Sequence, residues 1–217
     1  MKKVYIYKGF ERFWHWSQAS LIIFLAITGF EVHGTINLFG FEKAVQFHRI
    51  AAYLLIGLFV FAIFWHLTTG EWKQYTPTFK KLKDQIRYYT VGIFNREPHP
   101  TKKTVLSKLN PLQVLVYLGF KIVLVPIVVV SGLLYMYYAR IDPNNIVVIS
   151  KINLSTIAIW HTFGAIMLLA FLIVHVYMTT TGESLTSNIK AMITGYEELE
   201  ETEASKHAGD QEHIASA

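Results

Sequence analysis

The sequence predicts an all-α integral membrane protein, a four-helix bundle with its N and C termini in the cytoplasm. Three observations predict it. Stretches at about 13–33, 44–69, 112–139 and 154–181 are mainly apolar, and a spanning segment needs about 20 such residues. Lipid offers the backbone no hydrogen-bond partner, so spans of that length are helices. Of 217 residues, 53% are apolar and 16% charged, against roughly 25% charged in soluble domains. Positive charge is also unevenly placed. Residues 70–110 carry nine Lys/Arg, and the lead into the first span carries Lys2, Lys3, Lys8 and Arg12. The other two loops carry Lys43 in one and Arg140 with Lys151 in the other. Basic loops stay inside, which sets the topology. The net charge of +5 therefore reads as topology and contact with anionic membrane lipid, with a docking surface for a partner subunit as a further reading, and not as nucleic-acid binding.

Each element follows from local chemistry. The first span holds Trp14, His15 and Trp16. It is too long for a signal-peptide core and lacks a small-residue cleavage site, so it reads as a working span. A short outer loop leads to the second span, which ends at Trp65 and His66. The cytoplasmic loop 70–110 holds an amphipathic stretch around 79–89, expected to lie at the membrane surface. Residues 97–103 form a turn-rich linker. Asn110-Pro111 opens the third span, proline suiting a first helical position. Pro126 predicts a kink there. Lys121 is expected to snorkel to the cytoplasmic face, with contact to a quinone or a haem propionate as the alternative. The outer loop 140–153 is polar. The membrane domain closes at residue 196, and 197–217 form an acidic tail rich in small polar residues, expected to be disordered. Trp and Tyr gather at the span ends, as interfacial anchors do.

Of nine histidines, six belong to spans. By topology His15, His66 and His175 lie towards the cytoplasm, and His33, His48 and His161 towards the outside. His161 and His175 are fourteen residues apart, which in a helix is about 1400° of rotation and roughly 21 Å of rise. They therefore share one face at two depths. Ionisable groups in hydrocarbon are costly and mark function. Haem iron is commonly held by imidazole, and facing helices of a bundle can each supply one ligand. His161 can pair with His48 or His33, and His175 with His15 or His66. A zinc or proton-path site would need carboxylates at the same depth, and Glu31 alone is available in the outer group. The chain has no cysteine, which excludes disulfides, thiolate-held iron–sulfur clusters and covalently attached c-type haem.

Arg12-Phe-Trp-His-Trp16 resembles the Arg-x-Trp-His-Trp opening of the di-haem cytochrome b subunits of nickel–iron hydrogenase, formate dehydrogenase and thiosulfate reductase (cytochrome b561-like). The His161-to-His175 spacing, Phe47-His48-Arg-Ile-Ala-Ala and the terminal Ile-Lys-Ala-Met-Ile-Thr-Gly-Tyr196 are similar too. Gly29-Phe-Glu-Val-His-Gly34 and Trp65-His-Leu-Thr-Thr-Gly-Glu-Trp72 look most like the thiosulfate-reductase-type branch. The resemblance covers residues about 10–196. It implies an inner haem b on His15 and His175 and an outer haem b on His48 and His161. His33 and His66 depart from that pattern; propionate contact, a quinone pocket or a simple interfacial place are their readings. Arg12 and Arg49 adjoin ligands and are candidates for pairing with propionates. Gly29 and Gly164 would let a flat macrocycle, or another helix, come close. Asn110 stands where a relative's quinone site lies, with helix capping as its other reading.

What the resemblance implies is a membrane cytochrome b subunit of a respiratory oxidoreductase, in a bacterial or archaeal cell membrane. It would pass electrons between a partner and menaquinone or ubiquinone. The partner would be a catalytic, multihaem or iron–sulfur redox subunit on the extracytoplasmic side. The rival readings are a stand-alone cytochrome b and a membrane anchor that carries no redox current.

Overall fold

A computed structural model describes residues 2–95, 97–101, 108–138, 153–182 and 184–199. Its elements in chain order are β1 (Lys2–Tyr5), α1 (Gly9–Val32), α2 (Phe41–Thr69), a 3₁₀ turn (Glu71–Tyr75), α3 (Leu82–Arg87), a π turn (Tyr88–Gly92), α4 (Pro111–Gly119), a second π turn (Phe120–Leu124), α5 (Val125–Tyr137), α6 (Leu154–Thr179), α7 (Ser187–Thr194) and β2 (Tyr196–Leu199). Among the described residues four stretches are long and apolar enough to cross a membrane: α1, α2, α4 through α5, and α6. The fold is the predicted membrane four-helix bundle. The first two spans start a few residues before the predicted Phe13 and Ala44, because helical backbone precedes the apolar run there. The predicted polar loop at 140–153, with Arg140 and Lys151, lies outside the described residues except for Asn153. So do Arg96, Lys102 and Lys103 of the cytoplasmic loop.

The chain divides into two compact units. One, the span unit, holds residues 17–62 and 119–176. Its core is Ile22, Leu55 and Phe120, packed by Leu21, Leu25, Phe59, Leu124, Val125, Leu168 and Phe171. Large apolar residues also point outward: Val60, Ile159 and Ile173 are each about two-thirds exposed. In water such a surface would aggregate, and lipid is the solvent it suits. The predicted kink at Pro126 takes the form of the π turn just before it. Proline lacks the N–H that would serve the carbonyl of Ile122 and its ring crowds that carbonyl. Widening the preceding turn accommodates both. Glu31, buried, ends α1 by accepting the backbone N–H groups of Leu38, Phe39 and Gly40 on Oε1 at 2.6–2.9 Å. Those groups precede α2, so the carboxylate closes the outer turn and complements the positive end of that helix.

The other unit, the terminal unit, gathers residues up to 16, 63–118 and 177 onward. Here β1 and β2 pair antiparallel, with Lys3 opposite Glu198 and Tyr5 opposite Tyr196. The expected acidic tail thus begins in a strand at Glu197, where facing opposite charges favour pairing. Residues 200–217 lie outside the described residues. Gly195, at φ +88°, turns the chain from α7 into β2, and a Cβ there would fall 2.6 Å from Tyr5 Cε2. Only glycine takes both that backbone and that contact.

The basic side of the molecule is closed by a buried ion cluster. Lys108 Nζ lies 2.6 Å from Glu11 Oε1 and 3.4 Å from Glu71 Oε2, and Lys8 Nζ lies 2.7 Å from Glu71 Oε1. Burial alone would raise the Glu71 carboxyl, but the hydrogen bond and charge of Lys8 and the charge of Lys108 outweigh it and hold it below the usual range. The phenols of Tyr7 and Tyr75 are pushed up, first by burial and then by nearby carboxylates, Glu197 and Glu11 respectively. The predicted amphipathic stretch at 79–89 is a helix from 82 to 87 that continues through a π turn to 92.

Candidate functional site

In the span unit His48 of α2 and His161 of α6 face each other, ring centroids 6.2 Å apart and planes at 78°. What surrounds each ring fixes its protons. Thr28 Oγ1, fully buried, donates to the carbonyl of Phe24. Its hydrogen is thereby spent, so it accepts from His48 Nδ1–H at 2.9 Å. His161 Nδ1 lies 3.1 Å from the carbonyl of Val128, which can only accept. Ser131 Oγ, which donates to the carbonyl of Ile127, is a further acceptor at 3.2 Å. Nδ1 is thus the donor on both rings, and in the neutral form of each the lone pair lies on Nε2. That is the state an imidazole needs in order to hold a metal, with the other nitrogen anchored by a hydrogen bond.

The separation agrees with that use. With centroids 6.2 Å apart on different helices, one imidazole from each would hold a haem iron. Among the described residues no group of three or more His, Asp or Glu could hold a metal ion, so the pair suits a ligand that brings its own equatorial donors, as a porphyrin does. Glycine makes room for a ring at Gly132, while Gly29 leaves only an ordinary contact distance. A Cβ at Gly132 would fall 2.9 Å from His161 Cε1, and one at Gly29 would lie 3.6 Å from His48 Cε1. Gly164 serves the other expected purpose, helix packing: a Cβ there would fall 2.7 Å from Val128 Cγ2. Thr28, Ser131, the Val128 carbonyl and Gly132 are not among the residues singled out in the sequence. The available signal was a lone hydroxyl inside each of two otherwise apolar runs.

The remaining candidates have distinct surroundings. His33 Nε2 lies 3.2 Å from Thr162 Oγ1, one residue from His161. His175 is nearly parallel to Phe171, centroids 5.8 Å and planes at 12°, and Phe171 stacks on Phe120 at 4.5 Å. Arg49 is exposed beside His48. In the terminal unit, His15 meets Trp16 edge to face at 5.2 Å. His66 is ringed by Trp14, Trp65 and Tyr75, with centroids 5.2–5.5 Å away.

The Arg-x-Trp-His-Trp stretch also has a packing task. Arg12 Nη1 donates to the carbonyl of Ile193 at 2.7 Å, and Trp16 Nε1 to that of Met192 at 3.1 Å. Spaced four apart on α1, they grip the last carbonyls of α7, which a cation at that end complements. Arg12 Nε is buried and finds no acceptor among the described residues, which leaves it able to meet an anionic group. Asn110 is the N-cap of α4. Its Oδ1 accepts from Gln113 N–H at 2.9 Å while Gln113 Oε1 accepts from Asn110 N–H at 3.0 Å, a reciprocal capping box. Its Nδ2 donates to Tyr89 Oη at 3.0 Å. The capping reading of Asn110 is the one seen.

The chain is similar to known proteins along most of its length. The family model described as prokaryotic cytochrome b561 matches residues 6–195. "Putative cytochrome YdhU" of Escherichia coli (strain K12) is 28% identical over 204 residues, covering 90% of this chain and 75% of that protein. "Probable Ni/Fe-hydrogenase B-type cytochrome subunit" of Rhizobium leguminosarum bv. viciae is 25% identical over 218 residues, covering 89% of this chain and 88% of its own. The protein of the same name from Bradyrhizobium diazoefficiens is 26% identical over 216 residues, covering 88% and 85%. A match along almost the whole bundle, joined to four membrane-length helices, means that the chain belongs to the prokaryotic cytochrome b561 family and is a multi-pass b-type cytochrome of a bacterial membrane.

Proposed function

We propose that this chain is the membrane subunit of a respiratory oxidoreductase, exchanging electrons between a partner redox subunit and the quinone pool with two b haems as carriers. The observation that supports it most is the His48–His161 pair: two imidazoles on different helices, each tied by Nδ1, with centroids 6.2 Å apart. The partner follows from the relatives named as hydrogenase cytochrome subunits. The outer haem is assigned to His48 and His161, the inner to His15 and His175. The two α6 positions differ in depth by roughly 21 Å, within a hydrocarbon core of about 30 Å.

Haem supplies one-electron chemistry when bound, and the chain supplies ligation, orientation and a dry setting. Thr28 and Ser131 orient the outer rings. Arg12, with its buried free Nε, and Arg49 meet propionates. His33 and His66 flank the two ligand levels without ligating. Asn110 holds the start of α4 in place beside a quinone that reacts at the basic, cytoplasmic face. The partner docks at the opposite, outer face. The Gly29–Gly34 and Trp65–Trp72 segments support the thiosulfate-reductase-type branch.

The purified chain tests this. Its reduced-minus-oxidised spectrum should show b-type bands, with two haems per polypeptide by pyridine haemochrome. One haem, or none, would overturn the two-level assignment.

A further inference from the structure

The segment 79–94 presents three kinds of face. Its inner face is fixed: Gln85 is fully buried, with Nε2 3.1 Å from His99 Nε2 and Oε1 accepting from Thr101 Oγ1 at 3.0 Å. Gly92 is buried as well. The exposed side carries the apolar Phe79, Ile86 and Phe94, with Thr90 exposed as well. Phe79 and Phe94 are 74% and 72% exposed and Ile86 45%. With them stand the basic Lys80, Lys83 and Arg87, all exposed. Arg87 also reaches Glu97 at 3.3 Å, and Lys81 is already engaged by the carbonyl of Pro100. Asp84 is exposed too.

An exposed phenylalanine is unremarkable alone. Two of them with Ile86 beside three cations, in a chain whose neighbouring helices cross a bilayer, are the pattern of an interfacial element. The polar network behind it holds the element in one orientation, so ordering is not a further cost of docking. We propose that residues 79–94 form a docking face for the anionic lipid surface of the basic-side leaflet, the phenylalanines entering the headgroup boundary and Lys80, Lys83 and Arg87 pairing with lipid phosphates. Each cation near such a surface contributes about 1 kcal/mol, or roughly fivefold in the docked-to-free ratio, so three amount to on the order of a hundredfold. The attraction weakens with salt.

The absence of cysteine allows a direct test. Thr90→Cys in the haem-loaded full chain takes a single environment-sensitive dye, and the protein is placed in nanodiscs of phosphatidylcholine with or without phosphatidylglycerol. The dye should be blue-shifted and shielded from an aqueous quencher when phosphatidylglycerol is present, and re-exposed by high salt. The combined variant K80Q/K83Q/R87Q should lose that response, and F79S/F94S should lose the shielding at every salt concentration. Both leave the inner face alone, and an unchanged haem spectrum checks that they fold. Equal shielding with and without phosphatidylglycerol, a response kept by K80Q/K83Q/R87Q, or shielding seen only when a partner subunit co-purifies would each overturn the proposal.

Discussion

His48 and His161 sit among hydroxyls and a carbonyl, whereas His66 sits among rings. In the span unit, Thr28, Ser131 and the Val128 carbonyl settle which nitrogen of each imidazole carries hydrogen. In the terminal unit, Trp14, Trp65 and Tyr75 meet His66 edge-on or tilted at 5.2–5.5 Å, contacts that pack a ring and leave its tautomer open. Six spanning histidines look equivalent as letters, and their neighbours set His48 and His161 apart from His66. The largest effect should fall along that division. His48→Ala or His161→Ala should halve the haem content measured by pyridine haemochrome, whereas His66→Phe should keep it. Full haem content in the first two variants, or half in the third, would reverse the comparison.

Much of this was legible in the sequence because it depends on local spacing. The four spans follow from hydropathy and length, and the shared face of His161 and His175 from helical periodicity. The pairing of His48 with His161 rested on resemblance, since helix neighbours are a tertiary fact. The same holds for the clasp of Arg12 and Trp16 on α7, which joins residues 181 and 176 positions apart. Strands β1 and β2 are four residues each and lie at opposite ends of the chain. Neither has a period long enough to stand out, and the run of glutamates after Tyr196 reads as a solvated tail until Lys3 is placed across from it. The π turn was foreshadowed by Pro126, but a kink and a widened turn answer the same missing N–H.

The terminal unit offers the next largest effect. Lys108 is 5% exposed between two carboxylates. Removing it strands charge in the interior, and Lys108→Ala should lower stability by about 3–5 kcal/mol. Lys8, 54% exposed on the same Glu71, should cost under about 1 kcal/mol as Lys8→Ala. Thermal unfolding in detergent compares the two. A similar loss from both would mean that the cluster acts as a surface network. In the span unit the matching test is finer. Thr28→Val preserves shape and removes the hydroxyl acceptor of His48, leaving it the backbone of Leu25, so haem affinity at that level should fall by about 10–100-fold. Ser131→Ala should fall by less, because His161 Nδ1 keeps the Val128 carbonyl. Haem-transfer rates to apomyoglobin would rank the two, and an equal loss would remove the distinction between them.

The smallest effects are in pH, and they separate the units again. The Glu71 carboxyl titrates below its unfolded value. The folded state therefore binds fewer protons than the unfolded one as acid is added. Its contribution is present above the ordinary carboxyl range, about pH 4.3, and is lost as pH falls through the depressed folded value. Tyr7 and Tyr75 are shifted the other way. The unfolded chain releases their protons near pH 10 while the folded chain keeps them, so stability declines as pH rises above about 10. The terminal unit should accordingly loosen first at both extremes. Hydrogen exchange of the β1 and β2 amides would rise at acid and alkaline pH before the b-type spectrum changes. In Glu71→Gln the acid-side rise should flatten while the alkaline side persists, and if the acid-side rise is unaltered, its source is another carboxylate.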